Sequence, residues 1–169
     1  MIILSNDMNV DYLYDQRYFD EMREYASRPG YLKRCFKKIV GQKPEPRKIL
    51  DIACGHGFLV KYLRDGGYEA LGLDFTEFAG SEIPDHFILH DARNPLPFDD
   101  KTFDVVVSIG FLEHLEEQDI DKVYKEMCRV GKVVLAAVGT KQERITEQTH
   151  LTLHDRNWWY NKCKGIKLI

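Results

Sequence analysis

The run Ile49-Leu50-Asp51-Ile52-Ala53-Cys54-Gly55-His56-Gly57-Phe58-Leu59-Val60 holds the residue types most suited to chemistry. Its apolar opening predicts a strand, its glycines a tight turn, and Phe58 onward a helix. Gly55 and Gly57 let a ligand approach the backbone where a Cβ would intrude, and the first helical turn offers N–H groups without intrahelical partners. A pyrophosphate in a G-x-G-x-x-G fingerprint would use those groups, yet Val60 holds the third glycine position and Asp51 stands in the turn region. A carboxylate beside a pyrophosphate is repelled by about 4 kcal/mol for unit charges about 4 Å apart at an effective dielectric of about 20. Asp51 instead suits an ammonium group, met directly or through ordered solvent.

Asp74 closes the run Leu71-Gly72-Leu73-Asp74-Phe75. An acid at the end of a second strand can accept both hydroxyls of a ribose, and an aromatic neighbour such as Phe75 can stack on adenine. Asp91 ends a third run and is placed to accept the adenine amino group, with Ala92 small enough to admit the ring. Ala53 and Ser108, on the first and fourth runs, complete the candidate contacts. The acids thus fall at the carboxyl ends of adjacent strands, where open parallel sheets bind ligands. Their charge favours a cationic nucleoside over a dinucleotide, and S-adenosylmethionine, with an ammonium in its methionine half, has that character.

These residues need a sheet to position them. Apolar runs at 49–53, 70–75, 87–91, 103–111 and 132–138 alternate with helical or loop segments. Val105-Val106-Val107 and Val133-Val134-Leu135 are continuous, as expected of parallel strands buried on both faces. The spacing predicts a helix over 58–65 ended by Gly66-Gly67, and another through Ile120, Val123, Tyr124, Met127 and Val130 with Gly131 at its stop. The connection from the second to the third run is too short for a long helix. Upstream, Tyr18, Phe19, Met22 and Tyr25, then Leu32, Phe36 and Ile39, suit two helices separated by Pro29-Gly30. Residues 139–154 form a long polar stretch of the kind that serves as a lid, Asp155 caps a short helix, and residues 165–169 begin another strand. The expected architecture is an α/β Rossmann-like, mostly parallel sheet of order 3-2-1-4-5 with a short sixth strand, truncated at its C-terminal edge. Residues 1–169 read as one domain, with a helical segment and linker over 1–47 and the core over 48–169.

The ordered set resembles the class I S-adenosylmethionine-dependent methyltransferases, close to the group acting on small molecules. Residues 51–57 are similar to that family's first motif, Asp74 to its ribose-binding acid, and Asp91-Ala92 to its adenine-binding pair. Pro97-Phe98-Asp99-Asp100-Lys101-Thr102-Phe103-Asp104-Val105-Val106 resembles the entry into its fourth strand, and Leu112-Glu113-His114-Leu115 the segment after it. His150-Leu151-Thr152 with Trp158-Trp159 resembles members found beside sugar-modifying enzymes. The resemblance implies S-adenosylmethionine as cofactor and methyl transfer to an oxygen or nitrogen of a small acceptor, a sugar or related metabolite among the candidates. Two departures stand out: Ala53 and His56 replace a glycine and a small hydroxyl residue, which would tighten the loop or add a donor near the methionine carboxylate, and the sheet stops early. A non-catalytic cofactor-binding module or partner subunit is the alternative from another class.

His114 follows a buried strand where an acceptor would meet the methyl group, so it is the candidate general base, with a histidine that only ties down a loop as the structural alternative. Glu113, His150 and His154 stand behind it. Tyr12, Tyr14, Tyr18 and Phe19 would either close a lid or pack a helix. No metal is expected: Cys54, His56 and His114 make no ligand set, and the loop histidines lack diagnostic spacing. Across 169 residues, 24 Lys and Arg stand against 27 Asp and Glu, and the net charge of −3 gives no overall attraction to nucleic acid. Four cysteines without a C-x-x-C pair suit a reducing compartment, and neither a leader nor a membrane-spanning run is read, so the expected setting is the cytoplasm. The open sheet edge would allow a homodimer.

Overall fold

The computed structural model of the chain describes residues 13–140 and 149–169. The five apolar runs become β1 (Lys48–Ile52), β2 (Glu69–Asp74), β3 (Phe87–Leu89), β4 (Phe103–Ile109) and β5 (Gly131–Ala137), and β6 (Lys167–Leu168) follows. Together they form one sheet in the order β3-β2-β1-β4-β5-β6, with every pairing parallel. This is the Rossmann-like order expected from the continuous apolar runs, with the short sixth strand at an edge.

Successive strand residues face opposite layers, so Leu50, Ile52 and Val106 pack with Ile120, Met127 and Trp159, while Ile49, Val105 and Val107 pack with Ile39, Leu63 and Leu135. The first layer is covered by α4 (Glu117–Val130) and α5 (Arg156–Lys162), the second by α2 (Pro29–Val40) and α3 (Phe58–Asp65). Asp155 caps α5 by accepting the Trp158 N–H at 2.8 Å, and Asp15 caps α1 (Gln16–Ala26) by accepting that of Tyr18 at 3.0 Å. The β2–β3 connection is irregular, with one 3-10 turn over Pro84–His86. Asp104 on β4 fastens the start of β1: one carboxylate oxygen accepts the N–H groups of Arg47 and Lys48 at 2.8 and 3.0 Å, and the other accepts from Lys132 Nζ at 2.8 Å.

Some boundaries differ from expectation: β3 stops at Leu89 and β4 at Ile109, so Asp91 and Phe111 lie in the loops beyond those strands. Pro29-Gly30 opens α2 instead of separating the helices, because proline in a first turn gives up an N–H that has no intrahelical partner. Gly131 stops α4 as expected, its N–H donating to the Met127 carbonyl, and with an already extended backbone it also opens β5. Tyr12 and residues 141–148 of the expected lid lie outside the described residues. Among the described residues, no helix is long and apolar enough to cross a membrane.

Candidate functional site

After β1 the chain turns sharply, and the Leu73 carbonyl accepts the N–H groups of both Ala53 and Cys54 at 2.8 and 3.1 Å. Ala53, Gly55 and Gly57 adopt φ of 60°, 54° and 88°, the left-handed region that favours glycine. The two glycines serve different ends. A Cβ on Gly55 would meet nothing within 4 Å among the described residues, so this backbone stays open to an approaching ligand, whereas a Cβ on Gly57 would fall 2.3 Å from Ile83 Cγ1. Gly57 therefore makes room for the buried Ile83.

The turn borders a cavity of about 750 Å³, within the range of small-molecule sites. Asp51, Ala53, Gly55, Asp74, Phe75, Asp91 and Ala92 all line it, so the strand tips do bring the candidate residues together. Gly57 and Ser108 are not among the lining residues, and Ser108 is wholly buried within β4.

The acids differ in their surroundings. Asp51 is 4% exposed and makes no side-chain hydrogen bond to the described residues; burial, then the charge of Asp74, pushes its carboxyl up to about 8. Asp74 accepts the N–H groups of Gly55 at 3.0 Å and Phe75 at 2.8 Å, one on each oxygen, which leaves lone pairs for further donors. Burial raises its carboxyl too, against the pull of those N–H groups. Asp91 is tied to Arg93, whose Nε lies 3.0 and 2.9 Å from its two oxygens and whose backbone N–H adds a bond at 2.9 Å. Burial pushes Asp91 up, but the bonds and charge of Arg93 outweigh it and hold the carboxyl below its ordinary value.

The aromatic wall comes from the amino-terminal segment: Tyr14, Tyr18, Phe19, Met22 and Tyr25 all border the cavity. Tyr14 meets Phe75 edge to face at 5.5 Å between centroids. His56 fastens α1 there. Its Nε2 lies 2.7 Å from the Phe19 carbonyl oxygen, which can only accept, so Nε2 carries the proton and Nδ1 accepts from the Ser81 hydroxyl at 2.8 Å. With both nitrogens so engaged and only 4% exposure, His56 holds α1 against the turn instead of offering the spare donor expected at that position.

Across the cavity, Glu113, His114 and His150 converge. The Glu113 carbonyl accepts the N–H groups of Leu151 and Thr152, both at 2.9 Å, and the Thr152 hydroxyl donates to the Leu115 carbonyl at 2.8 Å. This pinning sets His150 beside His114, with ring centroids 4.6 Å apart. His114 Nδ1 lies 3.1 Å from the Thr149 carbonyl and 2.8 Å from the Tyr14 hydroxyl oxygen. A proton on Nδ1 satisfies the carbonyl and leaves the lone pair on Nε2. Burial, then the nearby His150, pushes the His114 pKa down to about 4, so its ring is neutral at pH 7. In the sequence Glu113 and His150 stand only as secondary candidates, because their convergence depends on the backbone bonds that fold residues 149–152 onto 113–115.

A profile of the methyltransferase domain matches residues 50–133, the stretch that builds β1 to β4 and the cavity floor. The chain belongs to the class I S-adenosylmethionine-dependent methyltransferases. The Bacillus subtilis protein YqeM is 30% identical over 123 residues, covering 68% of this chain and 48% of its own length. The 18S rRNA (guanine-N(7))-methyltransferase of Bos taurus is 27% identical over 130 residues, 66% of this chain and 46% of its own length. The chain therefore spans about half the length of these curated relatives. A solved S-adenosylmethionine-dependent methyltransferase from Archaeoglobus fulgidus shares the fold with a TM-score of 0.70 at 20% identity, covering 91% of this chain and 72% of that one.

Proposed function

We propose that this methyltransferase-family chain binds S-adenosylmethionine in the 750 Å³ cavity and transfers its methyl group to an oxygen or nitrogen of a small acceptor. The observation that carries this reading is Asp51: a buried carboxylate without a hydrogen-bond partner among the described residues, at the wall of a cavity shared with Asp74. Such a group is suited to an ammonium and ill suited to a phosphate. Asp51 would take the ammonium of the methionine half, Asp74 the ribose hydroxyls through its free lone pairs, and Phe75 and Ala92 the adenine. Gly55 leaves the backbone room for close approach. Asp91 reaches an adenine amino group only by sharing oxygens already bonded to Arg93. The bound sulfonium would supply an electrophilic methyl carbon, and the protein's part is to hold an acceptor in line with it and exclude water. His114 is the polar group on the acceptor side, and its substitution by alanine should lower turnover while leaving cofactor affinity nearly unchanged.

A small acceptor is supported by the aromatic wall of the cavity of about 750 Å³ and by the net charge of −3, which provides no general attraction to a polyanion. The bovine relative's name assigns it a guanine of rRNA, so an acceptor screen should contain both classes. The test is calorimetric titration with S-adenosylhomocysteine, followed by a screen for methyl transfer. Saturable binding that Asp51→Asn and Asp74→Ala each weaken at least about tenfold is the expected result. Absence of binding, or preferential binding of a dinucleotide, would overturn the reading; binding without transfer to any acceptor would favour a non-catalytic module.

A further inference from the structure

We propose that Glu113, His114 and His150 form a binding site for one divalent cation of the zinc, iron and cobalt class on the acceptor side of the cavity. One ligand-capable atom from each residue lies within 4.8 Å of the others, and all three residues line the cavity. Two imidazole nitrogens with one carboxylate oxygen suit these borderline metals better than calcium or magnesium, which prefer oxygen throughout. Loop histidines without diagnostic spacing gave no reason to expect a metal from the sequence. The fold supplies the reason.

An independent observation points the same way. Glu113 is only 3% exposed; its Oε1 accepts the Gly139 N–H at 2.8 Å, while its Oε2 is buried with no hydrogen-bond partner among the described residues. A buried carboxylate oxygen without a donor is unfavourable, and a cation removes that deficit. The surrounding bonds also have the form that supports a metal-ligating imidazole. The Thr149 carbonyl beside His114 Nδ1 favours the tautomer whose Nε2 lone pair is available, as the outer partners of metal-bound histidines do. A tetrahedral ion with bonds of about 2.1 Å separates its ligands by about 3.4 Å, so modest side-chain rotation closes the cluster from its present span. Three protein ligands leave a fourth position open, as in catalytic zinc sites. An acceptor hydroxyl bound there would ionise more readily, and that role, unlike the site itself, rests on the methyl-transfer reading.

Cobalt(II), titrated into tag-free, metal-stripped full chain and followed by its visible absorption, tests the site. One equivalent should bind with micromolar or tighter affinity, give the intense bands of a low-coordinate ion, and be displaced by one equivalent of zinc. Glu113→Gln, which keeps an acceptor for Gly139, and His150→Ala, on a segment without helix or strand, should each weaken binding at least about tenfold. Lack of a saturable spectrum, or binding that neither substitution alters, would overturn the proposal. Calorimetry with S-adenosylhomocysteine on the same samples separates the two readings. Nucleoside binding without cobalt binding removes the metal site and leaves the proposed function standing, whereas cobalt binding without nucleoside binding upholds the site and removes its role.

Discussion

Asp51→Asn keeps the shape of the side chain and removes its ability to ionise. In the unfolded chain this carboxyl titrates near 3.8, and in the fold it is pushed up to about 8 by burial and then by Asp74. Between those values the folded protein holds a proton that the unfolded chain has released, so the unfolding free energy falls as pH rises through the window. At pH 7 about 3.2 units of the window have been crossed, and at about 1.36 kcal/mol per unit the loss amounts to at most about 4 kcal/mol. Asparagine has no proton to lose. The variant should match wild type near pH 4 and exceed it at pH 7, by an amount approaching that limit, while its affinity for the adenosyl ligand falls roughly 10- to 100-fold through loss of a charge-assisted bond. Urea unfolding at several pH values between 4 and 8, with calorimetry at pH 7, reads both effects. A variant less stable than wild type at pH 7, or with the same pH slope, would refute the reasoning, because Asp51 would then be a compensated charge.

Asp104→Ala should destabilise the fold by about 1 kcal/mol at pH 7, since the Lys132 bond and the N–H groups of Lys48 and Arg47 hold this partly exposed carboxyl near 2. The stabilisation is fully present above the unfolded value of 3.8 and is lost as pH falls through about 2, so acid unfolding of the variant checks it. Ala53→Gly, at φ 60°, should raise stability by up to about 1 kcal/mol, because relief of left-handed strain exceeds the added chain entropy; thermal unfolding measures it. His56→Ala should cost about 2 kcal/mol by leaving the Phe19 carbonyl and Ser81 hydroxyl without their partner, and hydrogen exchange should quicken in α1 more than in the sheet.

Much of the sheet was legible because its strands are buried on both faces. A continuous apolar Val105-Val106-Val107 suits a strand covered by helices on each side, and the parallel register then sets Asp51 near the end of β1 and Asp74 at the end of β2, with Asp91 in the loop after β3. Local signals with two meanings were harder to read. Pro29 both breaks one helix and starts the next, and a glycine after a helix can also open a strand, as Gly131 does. Tertiary partners were not legible at all. Nothing local to Gly57 announces Ile83, and nothing local to His56 announces the Phe19 carbonyl. Arg93, two residues beyond Asp91, could have signalled the engaged carboxylate, since short-range pairing of an arginine with an acid is common in turns. The meeting of Glu113 and His114 with His150 required the backbone bonds that lay residues 149–152 against 113–115.

On the proposed function, a buried Asp51 that is largely protonated at pH 7 ionises when the ammonium of an adenosyl ligand arrives. Calorimetry with S-adenosylhomocysteine at pH 7, in two buffers of different ionisation enthalpy, counts the protons released on binding. With the free carboxyl near 8, ionisation against the ligand's ammonium should release about 0.9 proton from the wild type and none from Asp51→Asn. Binding with no proton release from wild type, or the same release from the variant, would contradict the account.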